Sequence, residues 1–223
     1  ILVRLFTPLE FGILALFLAV ATLFSSVATA RYELAIVLPE QDQTAINILA
    51  LSFLITLLMT LLSALVVWFF GQDIARLADS EDLLPFLKWV PLFVFVSGLF
   101  QSLNQWATRK KYYKNIAASK ISQSSGNAAI SLGTGFAGWN AMGLVLGQIG
   151  GWLMGSLPLL FCFWRRDKKL LRDINKAEIV KQAQEHSDFP KINSAHVLSD
   201  IGQQSIVNFI IARLFSDSIL GFY

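Results

Sequence analysis

Asp200, Gln204 and Asn208 recur at i, i+4 and i+8, with Gln203 beside them, so they share one face of a helix. A carboxylate at mid-membrane costs roughly 2.5–3.5 kcal/mol on insertion scales and therefore faces a wet cavity or a partner. That makes Asp200 a candidate proton or sodium coupling site. The plainer alternative places it at the inner interface, in a span that starts later. Two upstream stretches carry related stripes. Ser97, Gln101, Asn104 and Thr108 follow i, i+4, i+7 and i+11, while Ser119, Gln123, Asn127 and Ser131 are spaced by four, with Lys120 adjacent. Such stripes let a bundle line an aqueous path while its other faces meet lipid. Otherwise they hydrogen-bond between helices, at about 0.6 kcal/mol each. The candidate cavity residues are Gln101, Asn104, Lys120, Gln123, Asn127, Gln204 and Asn208. Lys120 would either meet an anionic group of a substrate or snorkel to the inner surface.

The elements that must carry these stripes are apolar. Hydrophobic residues are 55% of the chain and charged residues 15%, against about 25% charged in an average soluble domain. Residues 11–30, 43–72, 89–108 and 121–164 contain no charge. A bilayer core of about 30 Å needs about 20 apolar residues as a helix. The last run is twice that and must turn back, at GTGFAGWNAMG (133–143). Five spans follow, at roughly 11–30, 47–70, 86–106, 116–134 and 141–163, and a sixth, weaker one runs over about 190–213. The runs are too long for strands and lack period-two alternation. The expected fold is an all-α integral-membrane bundle of about six helices.

Charge orients it. Segments 31–46, 107–120 and 164–191 hold fourteen of the 18 Lys and Arg residues, which places them in the cytoplasm. Segment 71–85 is acidic and faces out with 135–140. In ATRKKYYKNIAASK (107–120), five cations and two tyrosines would suggest a nucleic-acid patch in a soluble protein. Between two spans they read instead as an inner loop with interfacial aromatics, and nucleic acid is excluded as a partner. In the third inner segment Leu170, Ile174, Ala177 and Val180 recur at helical spacing among cations. This is either a basic amphipathic helix on the inner leaflet or a solvated linker.

Gly143, Gly147, Gly151 and Gly155 form a GxxxG ladder on the fifth span, a surface on which another backbone can approach closely. No catalytic constellation is visible. Asp79, Glu81 and Asp82 lie in a short loop without metal-ligand spacing, and His186 and His196 are isolated. The single Cys162 excludes an internal disulfide. Both ends look internal to a longer protein.

In order along the chain, ILVRLFTPLEFGILAL, RYELAIVLPEQDQTAINILALSFLI, LFQSLNQWATRKKYYKNIAASKISQS, GLVLGQIGGWLMG and DFPKINSAHVLSDIGQQSIVNFIIARLFSDSILGFY resemble the Wzx-like polysaccharide and O-antigen flippases of the multidrug/oligosaccharidyl-lipid/polysaccharide (MOP) exporter superfamily. The resemblance implies two six-helix lobes across a central cavity. By that template residues 1–164 are the N-terminal lobe (the end of helix one and helices two to six). Residues 165–188 are a cytoplasmic linker, and 189–223 are helix seven, opening the second lobe. It further implies a bacterial inner-membrane transporter, not an enzyme. Such a protein flips undecaprenyl-diphosphate-linked oligosaccharide to the periplasmic leaflet by alternating access, for O-antigen, capsule or exopolysaccharide synthesis. Its partners would be the bilayer, the lipid-linked oligosaccharide and polysaccharide polymerase machinery. No cofactor is implied beyond H+ or Na+ coupling. A diphosphate needs cations, and Arg4, Arg31, Lys120 and Arg213 are those near the spans. Two alternatives stand beside this reading: a drug or small-solute cation antiporter of the same superfamily, which would need acids in the cavity, and an integral-membrane enzyme of polysaccharide assembly, which would need a constellation in an outer loop.

Overall fold

The computed structural model describes residues 5–193, together with 197, 199, 200, 202, 203, 206, 207 and 210. Among the described residues the chain is helical, with no strand. Helix α1 (Pro8–Ser26) starts at a capping box. The Glu10 N–H donates to Thr7 Oγ1 (3.4 Å), and the Thr7 N–H donates to the Glu10 carboxylate (2.6 Å). Pro8 occupies the first turn, where its missing N–H costs nothing. After a 3-10 turn at Tyr32–Val37 comes α2 (Asp42–Leu77). Its 36 residues make about 54 Å of helix at 1.5 Å per residue, longer than the predicted 47–70. The helix continues through much of the predicted outer loop because its last turns are polar, with an exposed Asp73–Arg76 pair at 3.7 Å.

The predicted third span is broken. A short helical stretch at Glu81–Leu87 meets α3 (Val90–Arg109) at a bend of 50°. Pro91 sits in the first turn of α3, where proline suits a helix start and not a continuation. Helices α4 (Tyr113–Phe136) and α5 (Asn140–Arg166) form an antiparallel hairpin. The predicted outer turn at 135–140 shrinks to residues 137–139, with Gly138 at φ 73° making the reversal. Gly133 and Gly135 remain inside α4. Beyond α5 lie a 3-10 segment at Lys168–Asp173 and the short helix α6 (Lys176–Glu185).

Helix α3 is the hub, packed against α1, α2 and α5. Two apolar clusters fill the bundle. One gathers Leu16, Phe17, Phe93, Val94 and Val145 toward the acidic end. The other gathers Ile36, Ile46, Phe100, Trp106 and Phe163 toward the basic end. Trp152 joins them, with ring centroids 6.3 Å from Phe93 and 5.0 Å from Phe100. The buried side of α2 passes from mostly apolar residues over 45–51 to small hydroxyl residues further along. Ser52, Thr56 and Ser63 each donate to a carbonyl three or four residues back, at 2.8–3.0 Å, so burying them leaves no hydroxyl orphaned. On its opposite side α2 exposes Leu54, Leu58, Leu61 and Leu65, ending in Trp68 at 83% exposure. That leucine face, with an aromatic at its end, suits lipid.

Helices α1, α2 and α5 are each long and apolar enough to cross a membrane, and the bent pair makes a fourth. Helix α4 is not among them. Its length would suffice, but Ser, Asn, Gln, Gly and Lys dilute its apolar content. Half of the sixth predicted span, including residues 204, 208 and 213, falls outside the described residues.

Candidate functional site

The two features read separately from the sequence, the polar stripe of α4 and the glycine ladder of α5, are one structure. A methyl group on Gly155 would sit 2.9 Å from Gln123 Cβ, and one on Gly151 would sit 2.9 Å from Asn127 Cβ. Methyl groups on Gly147 and Gly143 would collide with Ser131 and Thr134. Each glycine makes room for one rung of the stripe. Within it, Ser131 Oγ donates to Asn127 Oδ1 at 3.2 Å, and Thr134 Oγ1 donates to the Ile130 carbonyl at 2.7 Å. Gln123 and Asn127 are half-buried in this seam.

The side of α4 turned away from the seam is exposed: Ala117, Ala118, Lys120, Ile121, Ser124, Ser125, Ala128 and Ala129. Lys120 reaches across to α3, with Nζ 4.7 Å from the centre of the Phe100 ring, a cation–π contact. Nearby on α3, Gln101 Nε2 donates to the Ser25 carbonyl of α1 (3.2 Å), and the Ser25 and Ser97 hydroxyls pair at 2.6 Å. Asn104 Oδ1 and Ser119 Oγ are buried without a hydrogen-bond partner among the described residues. In a buried setting such atoms call for water or a ligand group. Lys120 thus meets α3 at Phe100, one helical turn from the seam that holds Gln123 and Asn127, while Gln101 is engaged with Ser25 of α1. Asp200 and Gln203 are exposed. Arg4, Gln204, Asn208 and Arg213 lie outside the described residues.

Arg31 has a left-handed backbone (φ 63°), and its guanidinium pairs with Glu33 at 3.4 Å. Glu33 is 2% exposed and also accepts a hydrogen bond from the Thr29 hydroxyl. Arg31 Nε is buried and unpartnered among the described contacts. One side of this diphosphate candidate is therefore already neutralised by a carboxylate. Burial pushes the Tyr32 phenol above its usual range, so it stays a donor, and its hydroxyl reaches the Ala183 carbonyl of α6 at 2.8 Å.

The basic loop does more than hold itself at the surface. Arg109 Nε donates to Asp42 Oδ1 at 3.1 Å, and the same guanidinium caps the carbonyls of Ile36, Pro39 and Glu40. Lys110 bonds Asp42 and lies 3.8 Å from Asp167. Asp167, 6% exposed, accepts from the Trp106 indole (2.9 Å) and the Tyr112 hydroxyl (3.4 Å). Burial and then the Asp167 charge push the Tyr112 phenol up, which keeps it protonated. Arg166 stacks on Tyr112 at 4.8 Å. This clasp ties the start of α2, the α3–α4 turn and the end of α5 to one point. Sequence reasoning assigned the cations and missed their partners Glu33, Asp42 and Asp167.

Segment 165–188 is fastened to the bundle at Asn47. Asn47 of α2 donates to the Asp173 carbonyl (3.2 Å) and accepts from the Asn175 N–H (2.8 Å). The segment is docked on the bundle, while Ile174 and Val180 stay exposed. At about 1 kcal/mol per net hydrogen bond, Asn47→Ala is expected to weaken docking by about 2 kcal/mol, roughly thirtyfold. Trypsin cleavage between residues 168 and 176 of the folded protein should accelerate accordingly, with unchanged cleavage elsewhere.

A family model described as polysaccharide biosynthesis protein matches residues 1–223. The chain belongs to that family. No curated protein and no solved structure matched the chain. As a polysaccharide biosynthesis protein with spans long and apolar enough to cross lipid, it is a membrane protein with a role in polysaccharide synthesis or transport. Among the described residues of this family member, no group of His, Cys, Asp and Glu could hold a metal ion.

Proposed function

We propose that this protein is a flippase lobe, moving a lipid-linked oligosaccharide from the cytoplasmic to the periplasmic leaflet of a bacterial inner membrane, and that it acts by transport, not by catalysis. The observation that carries the reading is α4. It is a 24-residue helix at the flank of the bundle, packed chiefly on α5. Its sequence is too polar to pass as a membrane span by length and composition, and the side turned away from α5 exposes Lys120, Ser124 and Ser125 among alanines. A sugar chain cannot cross hydrocarbon, because its hydroxyls would lose their hydrogen bonds. It needs a wet surface between helices, with its lipid tail left in the bilayer. On this reading the exposed Ser124–Ser125 face, Lys120 and the oxygens of Asn104 and Ser119 that lack a partner among the described residues supply such a surface. On this reading Lys120 meets the diphosphate and Asp200 serves ion coupling. The positive end, with Arg109 to Lys120 and the docked segment, faces the cytoplasm.

The test has two arms. Single cysteines at Ser124 and Ser125, in a Cys162→Ala background, should react with a membrane-impermeant maleimide in purified protein reconstituted in vesicles. Cysteines at Leu58 and Leu61 should not. In cells lacking a flippase for a surface polysaccharide, the full-length gene should clear lipid-linked intermediate from the inner leaflet. Intermediate that stays on the inner leaflet, with the protein present in the membrane, argues against flipping of that substrate. Unreactive cysteines at 124 and 125 would remove the wet path itself.

A further inference from the structure

Between α2, α3 and α5, toward the basic end, lies a cavity of about 520 Å³. Phe53, Leu99, Leu103, Leu160 and Trp164 are among its walls, and Ser102 is its single polar lining side chain. The docked segment overhangs it with Leu171, Ile174 and Ile179. The cavity is not part of the polar path. Leu160 lies nine residues from Gly151, two and a half helical turns at 3.6 residues per turn, so the two occupy opposite faces of α5. It opens instead onto the leucine side of α2 and onto Leu157 and Phe161 of α5, all exposed. Its overhang is basic: Lys168, Lys169 and Arg172 are exposed and adjoin Leu171 in sequence, and Arg165, next to Trp164, stacks on Phe161 at 5.4 Å.

A chamber walled by hydrocarbon, open to lipid and edged by cations is complementary to a molecule with an apolar chain and a negative head. We propose that it holds one acyl chain of an anionic phospholipid from the leaflet at the basic end, with the phosphate on the Lys168, Lys169 and Arg172 edge. The lipid is then a resident cofactor of the docked segment, wedged between that segment and the bundle. It is not the cargo, because the polar face of α4 lies on the other side of α5. The inference requires membrane embedding alone and is independent of what the protein moves.

The test uses the intact membrane protein in nanodiscs of phosphatidylcholine with and without phosphatidylglycerol. Mass spectrometry then counts the phosphatidylglycerol retained after mild delipidation. A cation near an anionic lipid surface contributes about fivefold in affinity, so Lys168→Gln/Lys169→Gln/Arg172→Gln should lower retention on the order of 100-fold. Ala50→Phe, which fills the chamber from α2, should abolish it while leaving the basic edge intact. Phosphatidylglycerol should raise the melting temperature of the unaltered protein and not of the Ala50→Phe protein, since a ligand that binds only the folded state stabilises it. Retention equal in all three proteins, or phosphatidylcholine held as tightly as phosphatidylglycerol, would mean annular lipid only and overturn the proposal. Stoichiometric displacement of phosphatidylglycerol by a polyprenyl phosphate would assign the chamber to the cargo's tail and overturn it as well.

Discussion

Gly151→Val is expected to separate α4 from α5 and to abolish function, while Gly133→Ala on the facing helix leaves the protein unchanged or slightly more stable. The difference lies in what each new side chain meets. At Gly151 even a methyl group would be 2.9 Å from Asn127 Cβ, 3.0 Å from the Gln123 carbonyl and 3.3 Å from the Asn127 backbone nitrogen. Two of the three are main-chain atoms, which cannot turn aside. At Gly133 nothing lies within 4 Å, so alanine gains helix propensity, about 0.8–1 kcal/mol, without a clash. Overpacking in soluble cores costs about 1–3 kcal/mol, and valine at Gly151 belongs at the top of that range because the backbone must move. The consequence here is larger than the local strain. An α1 or α2 pushed out of the bundle would still be solvated by lipid; α4, with its serines, asparagines and Lys120, would not. Its place in the membrane depends on the seam. Thermal unfolding in detergent, read by fluorescence-detected size exclusion, should show Gly151→Val as aggregated or strongly destabilised, with Gly133→Ala at or above the native melting temperature. Equal melting of the two would refute the seam.

The seam also shows what a sequence conveys and what it withholds. The stripe at 123, 127 and 131 and the ladder at 147, 151 and 155 were each legible, because spacing by four defines a helix face. Their pairing was legible in principle as well. The pairs Gln123–Gly155, Asn127–Gly151 and Ser131–Gly147 are symmetric about residue 139, where Gly138 turns the chain. Reading the turn as broad, from 133 to 143, hid that symmetry, since glycines inside α4 look like breakers until packing overrides their propensity. Helix positions followed from uncharged runs, because the thickness of lipid sets a length that few other constraints set. The break before Val90 was not legible: a proline near the start of a span fits a bend and a plain helix start equally well. Charged pairs were the least legible. Arg109 was visible as a cation in a basic loop, but nothing in its spacing points to Asp42, 67 positions away, or to the carbonyls it caps.

Asp167→Ala is the second substitution expected to have a large effect, and it tests whether the basic end is a built clasp or a set of surface charges. Exposed ion pairs are worth about 0–1 kcal/mol, and if Asp167 were one of them its loss would barely register. It is 6% exposed, and its indole partner Trp106 is 1% exposed, so removing the carboxylate leaves a buried N–H with no water to replace it. An orphaned donor costs about 1–3 kcal/mol, and breaking a buried charge pair about 3–5 kcal/mol. Lys110 keeps Asp42 and so softens the second figure, which places the expected loss at about 3–4 kcal/mol. Asp167→Asn should recover part of it, because an amide oxygen still accepts from the indole while the attraction to Lys110 is gone. Trp106→Phe combined with Asp167→Ala should cost less than the sum of the two single changes, since the phenyl ring has no donor to orphan. Non-additivity of that sign in urea or thermal unfolding would identify the indole–carboxylate bond as the centre of the clasp. Strict additivity would assign the loss to Lys110 and Tyr112 instead. Because the same carboxylate sits where α5 ends and the docked segment begins, its removal should also speed trypsin cleavage there. Asn47→Ala should produce that acceleration with a smaller loss of global stability, since Asn47 anchors the segment without bracing the three helix ends that Asp167, Lys110 and Arg109 hold together.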